Sequence, residues 1–230
     1  MYNEQDCAEK SIRTLFKTLN DIDPDTQIIA VNDGSIDNTC QILDKLSLEF
    51  SRLVVAKHLV NRGYGEAIKT AYKVGGELKL DYLLFMDADL TQDPKYIAGF
   101  LPKMKHGYGM IKGSRYIKGG GMENVPWPRV LISIFGNFVA KLQFRLPLND
   151  YTNGFRAVRV DLAAKFNLKS GAFDLLLEEV AQAKKLKASF TEVPYILTAR
   201  DSGQGQSKFN YSFHTFIRYL RHGFKRDFRV

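Results

Sequence analysis

Short runs of apolar, β-branched and aromatic residues alternate along the chain with stretches whose apolar positions recur every three or four residues. The runs at 27–31, 53–57, 82–87 and 109–112 read as strands, and a later one at 189–193 stops before Pro194. The helical spacings fall at 8–19, 38–50, 65–78, 95–105, 129–144 and 173–186. Such alternation predicts an α/β domain with a mostly parallel central sheet and helices on both faces. Ligands of open sheets bind beyond the carboxyl ends of the strands, so the loops there should be polar or glycine-rich. They are: Asn32-Asp33-Gly34-Ser35, Asn61-Arg62-Gly63-Tyr64-Gly65, Asp87-Ala88-Asp89 and Gly113-Ser114-Arg115 each follow a strand or open a helix.

Composition narrows this only a little. The 230 residues are 45% hydrophobic and 25% charged, ordinary for a soluble domain and against disorder. The net charge of +8 is concentrated at the end, where Lys208, Arg218, Arg221, Lys225, Arg226 and Arg229 stand against Asp227 alone. This divides the chain into a domain over 1–207 and a basic, aromatic segment over 208–230. Cys7 and Cys40 are too few for a disulfide framework, which points to a reducing, cytoplasmic setting. Asn3, Glu4, Gln5 and Asp6 interrupt any apolar leader. The most apolar stretch, 130–140, falls short of the roughly 20 residues that span a bilayer, so no membrane-spanning helix is expected.

Several chemistries can be set aside. Ile68 stands where a dinucleotide fingerprint begun at Gly63 and Gly65 would need its third glycine. No Walker A pattern and no Gly-x-Ser-x-Gly elbow occurs, and His58, His106, His214 and His222 are scattered without metal-ligand spacing. What stands out is Asp87-Ala88-Asp89 at the end of an apolar strand. Paired carboxylates there suit a hard divalent cation, which takes one or two protein carboxylates together with substrate phosphates. In the 32–39 segment Asp37 or Asn38 can cap the following helix, and Asn32 or Asp33 can hydrogen-bond a nucleobase.

Two stretches are amphipathic in an unusual way. Arg129, Ser133, Asn137 and Lys141 share one face of a helix otherwise apolar nearly all round. It is either a core helix with a polar stripe turned to solvent, or an apolar surface for a lipid with Arg129 at an anionic head. In the tail, Phe209, Phe213, Phe216, Ile217, Leu220 and Phe224 follow helical spacing among cations, the pattern of a helix lying in a membrane interface. Its rivals are docking on the chain's own domain and nucleic-acid binding, and the second lacks any recognised motif.

Taken together, these residues resemble the family-2, GT-A-fold glycosyltransferases, and more narrowly the dolichyl-phosphate mannosyltransferases and related polyprenyl-phosphate glycosyltransferases. The likeness is carried by Tyr2-Asn3-Glu4, by the 31–37 and 86–90 segments, and by Gly113-Ser114-Arg115-Tyr116 with the glycines at 119–121. It continues through Trp127, Arg129, Ser133 and Asn137, then Asp150-Tyr151-Thr152-Asn153-Gly154-Phe155-Arg156, Glu192-Val193-Pro194, Arg200 and Ser207-Lys208.

That resemblance implies inverting transfer of a hexose from a nucleotide sugar to a polyprenyl phosphate, with GDP-mannose the first choice of donor. It implies Mg²⁺ or Mn²⁺ held by Asp87, Asp89 and Thr91, the last standing where the family often has glutamine. Tyr2, Glu4 and Asn32 or Asp33 would line the base pocket, and Asp87, Ala88, Asp89, Arg200 and Lys208 would hold the rest of the donor. Arg115, Arg129 and Ser133 would receive the acceptor phosphate, which arginine's planar fork matches. Asp89, Asp150 and Arg115 form the catalytic group so implied, with Asp150 positioning substrate more than removing a proton. The chain would lie peripherally on the cytoplasmic face of a membrane through its C-terminal segment, and no nucleic acid is expected as partner. The family's first strand would precede Tyr2, where only Met1 stands, so an open slot is expected beside the strand at 27–31. The rival readings are a UDP-glucose-dependent transferase with the same acceptor, and a membrane-associated relative without turnover.

Overall fold

The computed structural model describes residues 1–199, so Arg200, Lys208 and the basic segment 208–230 lie outside the described residues. Among the described residues, eight strands and seven helices follow in chain order. The first half comprises α1 (Ala8–Ile22), β1 (Ile28–Asp33), α2 (Thr39–Glu49), β2 (Leu53–His58), α3 (Tyr64–Glu77), β3 (Tyr82–Phe85) and α4 (Ile97–Lys105). The second comprises β4 (Met110–Ser114), β5 (Gly121–Met122), α5 (Trp127–Phe144), β6 (Arg156–Arg159), α6 (Val160–Ala163), α7 (Leu175–Lys185), β7 (Phe190–Pro194) and β8 (Ile196–Leu197).

The helices form where the spacing places them, for local reasons. Ile12, Phe16 and Leu19 make the buried stripe of α1. Of the two cap candidates before α2, Asp37 takes the role: its Oδ1 accepts the Thr39 N–H at 2.9 Å, while Asn38 makes no side-chain cap. A short 3-10 turn, Pro94–Tyr96, leads into α4, with Asp93 accepting the Lys95 N–H.

The main sheet is mixed. In the order β3-β6-β4-β7, β4 pairs parallel with β7, whereas β6 runs antiparallel to both β3 and β4. Strand β6 was not expected from the sequence, because a four-residue segment flanked by Arg156 and Arg159 carries no hydrophobic run. It forms because Arg156 is neutralised inside the protein. Its guanidinium lies over the Phe85 ring at 4.3 Å and makes a bidentate pair with Glu179 of α7, at 2.5 and 2.7 Å. Tyr72 of α3 donates to the same carboxylate at 2.8 Å.

Side chains alternate across the sheet and bury two cores. Met110 and Val158 face α5, α6 and α7, while Ile111 and Ala157 face Phe100 of α4. A third cluster joins α1 and α2 to β1, through Ile12, Phe16, Ile28, Ala30 and Leu43. Helices thus cover both faces, as expected.

The sheet is interrupted where the slot was expected. Strands β1 and β2 form their own parallel pair, hydrogen-bonded to nothing in the main sheet. A cavity of about 1450 Å³ runs between β1 and β3, from Gln27 and Tyr82 up to Asp33 and Asp87. Helix α3 packs against both β1 and β3 and bridges the gap.

The Arg156–Glu179 pair is fully buried, so removing one partner strands the other charge away from water. Glu179→Ala should lower the unfolding free energy by about 3–5 kcal/mol in denaturant titration. A loss below about 1 kcal/mol would show that β6 does not depend on this pair.

Candidate active site

At the carboxyl end of β1 the residues are held by each other before any ligand arrives. The Asp33 carboxylate is buried and accepts the backbone N–H groups of Arg62 and Gly63, both at 2.9 Å. Its Oδ1 also lies 2.6 Å from Nδ1 of His58, whose Nε2 meets the Thr70 hydroxyl at 2.8 Å. Asp33 therefore clamps the loop before α3 while still lining the cavity. Asn32 is buried too, accepting the Ser35 N–H at 3.2 Å, and does not line that cavity. Of the two base-pocket candidates, Asp33 is the one the cavity reaches. The first residues are fastened across this loop: the Asn3 N–H donates to Ser35 Oγ at 3.0 Å and the Glu4 N–H to Thr39 Oγ1 at 2.8 Å. This places Tyr2 and Glu4 on the cavity wall with Asp33. His58, given no part by the sequence, belongs to this framework through a contact made across 25 residues.

Beyond β3 the chain turns through Leu90 at φ 58°, and Asp87, Ala88 and Asp89 line the same cavity. Each carboxylate is oriented by a neighbour. Thr91 donates its N–H and hydroxyl to Asp89 Oδ1 at 3.1 and 2.8 Å, and Gln92 donates its amide to Asp87 Oδ2 at 2.8 Å. Thr91, expected as a metal ligand, hydrogen-bonds Asp89, and Gln92, not singled out from the sequence, does the same for Asp87. Among the described residues no group of three or more His, Cys, Asp or Glu side chains is arranged to hold a metal. The donor set nevertheless fits Mg²⁺ or Mn²⁺, since two oriented carboxylates with substrate phosphates completing the shell is how such ions are usually held.

The third component is Arg115 with Asp150. Arg115 donates from Nε and Nη2 to the two carboxylate oxygens at 2.7 and 2.8 Å, and from its backbone N–H at 3.2 Å. Burial raises the Asp150 carboxyl, but the Arg115 charge and hydrogen bonds outweigh it and hold the group below the usual carboxylate range. Asp150 is therefore an ionised, fully enclosed anchor for Arg115. Its own loop is fixed in turn: Glu192 accepts the N–H groups of Asn149 and Asp150 at 2.8 and 3.0 Å. The loop then passes Asp87 at Gly154, where an added Cβ would sit 3.4 Å from Asp87 Oδ1. Tyr64, stacked on Phe173 at 4.4 Å, closes the same corner, and burial pushes its hydroxyl up to about 12.

Helix α5 corrects one of its two readings. The middle of its polar stripe, Ser133 and Asn137, is turned inward instead of to solvent, while Arg129 and Lys141 at the ends stay exposed. Asn137 is buried, donating to Thr152 Oγ1 at 3.1 Å and accepting the Tyr151 N–H at 2.6 Å. The Tyr116 hydroxyl donates to Ser133 Oγ at 2.7 Å. The loop's hydrogen-bonding groups attract the stripe, and Trp127, Leu131, Ile134, Phe135, Phe138 and Leu142 are left exposed. Arg129 is exposed in the first turn of α5, beside this apolar face.

Lys112 is a buried cation the sequence did not mark. Its ammonium donates to the carbonyls of Tyr151 and Asn153 at 3.3 and 2.8 Å. Burial, reinforced by the nearby Arg156 and Arg115 charges and opposed by Asp150 and Glu179, lowers it from 10.5 to about 7. The unfolded chain thus binds the extra proton between those two values, so stability gains from this group as pH rises. Measured against Lys112→Met, the wild type should gain roughly 1 kcal/mol per pH unit between about pH 7 and 10. Parallel stability curves for the two proteins would place the Lys112 proton elsewhere.

The profile of Glycosyl transferase family 2 matches residues 1–166. Dolichol-phosphate mannosyltransferase of Pyrococcus furiosus is 30% identical over 225 residues, 96% of this chain and 60% of the relative. This chain accordingly spans less than two thirds of that protein. Polyprenol monophosphomannose synthase of Mycolicibacterium smegmatis is 29% identical over 184 residues, 78% of this chain and 69% of the relative. Among solved structures, glucosyl-3-phosphoglycerate synthase of Mycobacterium tuberculosis, in complex with Mn²⁺, UDP and phosphoglyceric acid, superposes with TM-score 0.66 at 16% identity. It covers 96% of this chain and 72% of that one. At that identity the likeness speaks to the fold alone, and it agrees with the GT-A-type arrangement expected from the sequence. With the profile match extending from the first residue through β6 and α6, the chain belongs to Glycosyl transferase family 2.

Proposed function

We propose that the protein transfers a hexose, mannose from GDP-mannose in the first instance, to a polyprenyl phosphate with inversion at the sugar. The observation that carries this reading is one of adjacency. The Asp87–Asp89 carboxylates lie beside the loop that holds Asp150 and Arg115, and that loop is bonded to a helix whose outer face is apolar. A water-soluble diphosphate donor suits the first and a lipid phosphate the second. The names of the relatives from Pyrococcus and Mycolicibacterium support a polyprenol-type phosphate acceptor and mannose as the sugar.

In this reading Tyr2, Glu4 and Asp33 line the base pocket, and Asp87 and Asp89 hold the divalent ion with the donor diphosphate. When bound, the ion supplies Lewis-acid stabilisation of the departing diphosphate. Arg115, Arg129 and Ser133 receive the acceptor phosphate, and Arg200 and Lys208, outside the described residues, are proposed to close over the donor. Arg115 has four of its hydrogen-bonding contacts fixed by Asp150 and Thr152, leaving Nη1 to address a phosphate oxygen. A phosphate monoester with a second pKa near ~6 is largely dianionic at neutral pH. Its oxygen attacks the anomeric carbon as the bond to the nucleoside diphosphate breaks, and the bonding electrons leave with the diphosphate. No general base is required, which agrees with an Asp150 that is ionised and paired on both oxygens. The site is proposed to meet the membrane through the apolar face of α5 and the basic segment 208–230, on the cytoplasmic side. Among the described residues no helix is long and apolar enough to cross a membrane.

The test is sugar transfer from GDP-mannose to a polyprenyl phosphate in vesicles. Wild type should transfer in the presence of Mg²⁺ or Mn²⁺, and Asp89→Ala should lose at least about 100-fold in kcat/KM. Transfer from UDP-glucose but not GDP-mannose would assign the donor to the other class, and no transfer from either would overturn the reading. For the acceptor side, replacing Phe135 and Phe138 together with Ser should raise KM for the lipid several-fold and leave KM for the donor unchanged. Equal change in both constants would remove α5 from acceptor recognition.

A further inference from the structure

Lys112 is a fully buried cation with no part in the transfer step proposed above. In register it stands between Arg156 of β6 and Glu192 of β7, and paired residues of adjacent strands put their side chains on one face. Each carboxylate around it already has partners. Asp150 accepts from Arg115, and Glu179 accepts from Arg156 and Tyr72. Glu192 accepts the N–H groups of Asn149 and Asp150. Tyr64 and Tyr72, beside Arg156, are pushed up by burial and stay neutral. The Lys112 ammonium is left with two carbonyls, those of Tyr151 and Asn153.

Those carbonyls are interleaved with the contacts of Arg115. Asp150 and Thr152 give side-chain oxygens to Arg115, while Tyr151 and Asn153 give backbone oxygens to Lys112. The Asn153 amide also donates to Gly113 O at 2.6 Å, one residue along from Lys112. One four-residue stretch, 150–153, is therefore held by two cations that lie three positions apart in the chain. The two cations also act on each other. The Arg115 charge disfavours the proton on Lys112, and the Asp150 carboxylate favours it. A phosphate dianion at Arg115 adds negative charge beside this enclosure, where charges interact more strongly than they do in water. Its arrival tips the balance toward a protonated ammonium.

We propose that Lys112 is a positioning residue for the acceptor phosphate: its ammonium fixes the 150–153 stretch on which Arg115 rests, and phosphate binding at Arg115 is coupled to its protonation. This deepens the function proposed above and rests on the acceptor site assigned there to Arg115. Burial holds Lys112 at about 7 in the free protein, so above that pH the ammonium loses its proton, and bound phosphate restores it. Binding then takes up a proton, and affinity falls as pH rises, by at most about tenfold per pH unit. The phosphate monoester, with its second pKa near ~6, stays largely dianionic through this range and does not supply the effect.

The experiment is calorimetric titration of the full 230-residue chain with farnesyl phosphate, without donor or metal, at about pH 7.5 and about pH 8.5. Wild-type Kd should rise at least about threefold between the two, and parallel runs in Tris and HEPES, which differ in heat of ionisation, should show uptake of about half a proton per site at the lower pH. Lys112→Met should bind more weakly at the lower pH, with neither uptake nor pH dependence. Lys112→Arg, charged throughout, should recover the affinity and remain independent of pH. The wild-type measurements need no substitution, so they decide the matter even where a variant fails to fold. Binding with unchanged Kd and no proton uptake, or the same pH dependence in Lys112→Met, would overturn the role of Lys112 and leave the acceptor site standing. Absence of binding at both pH values would overturn the acceptor site at Arg115 and this inference with it.

Discussion

The ion pair between Arg115 and Asp150 is enclosed, and a buried charge pair holds only where both partners are fixed in geometry and every remaining polar group is satisfied. The loop from 149 to 156 is arranged around that requirement. Glu192 holds its beginning, Asn137 and Lys112 its middle, and the Arg156–Glu179 pair its end. These partners come from β7, α5, β4 and α7, so this end of the domain is fixed by tertiary contacts. Rigidity of this kind suits the phosphate-binding role proposed for Arg115, since a pre-placed group need not rearrange first.

The same requirement explains the helix that looks inside out. A helix with Ser133 and Asn137 on one stripe could have turned that stripe to water. The backbone N–H of Tyr151, and the Thr152 hydroxyl shared with Arg115, draw it inward instead. The exposed apolar face of α5 therefore follows from satisfying the loop beneath it. Site and surface are joined through α5, whose inner side bonds the Thr152 hydroxyl that Arg115 also contacts. At the Asp33 and Asp87 end the frame is looser, because β1 and β3 belong to separate sheets held together by α3 and by side-chain packing.

Much of this was legible from residue patterns. The helices came from apolar spacing, and the position of Asp87 and Asp89 just beyond a strand was readable because an apolar run precedes them. What the sequence concealed has a common cause. Strand β6 depends on a cation neutralised by a residue 23 positions away, His58 on a carboxylate 25 away, and Lys112 on carbonyls about 40 away. Local periodicity holds no information about such contacts. Thr91 and Gln92 were obscured differently: both lie beside the carboxylates in sequence, and only the turn at Leu90 decides which side chain reaches which aspartate. The orientation of α5 was undecided for the same reason, since the stripe was visible but not the groups it would meet.

The central claim is that a nucleoside diphosphate and a divalent ion share the Asp87–Asp89 end of the cavity. Calorimetric titration of the purified chain with GDP and with UDP, each with and without Mn²⁺, addresses it most directly. The account predicts saturable binding of GDP that requires Mn²⁺, and little binding of UDP. Binding of GDP to the same extent without the metal, or of neither nucleotide in its presence, would contradict it.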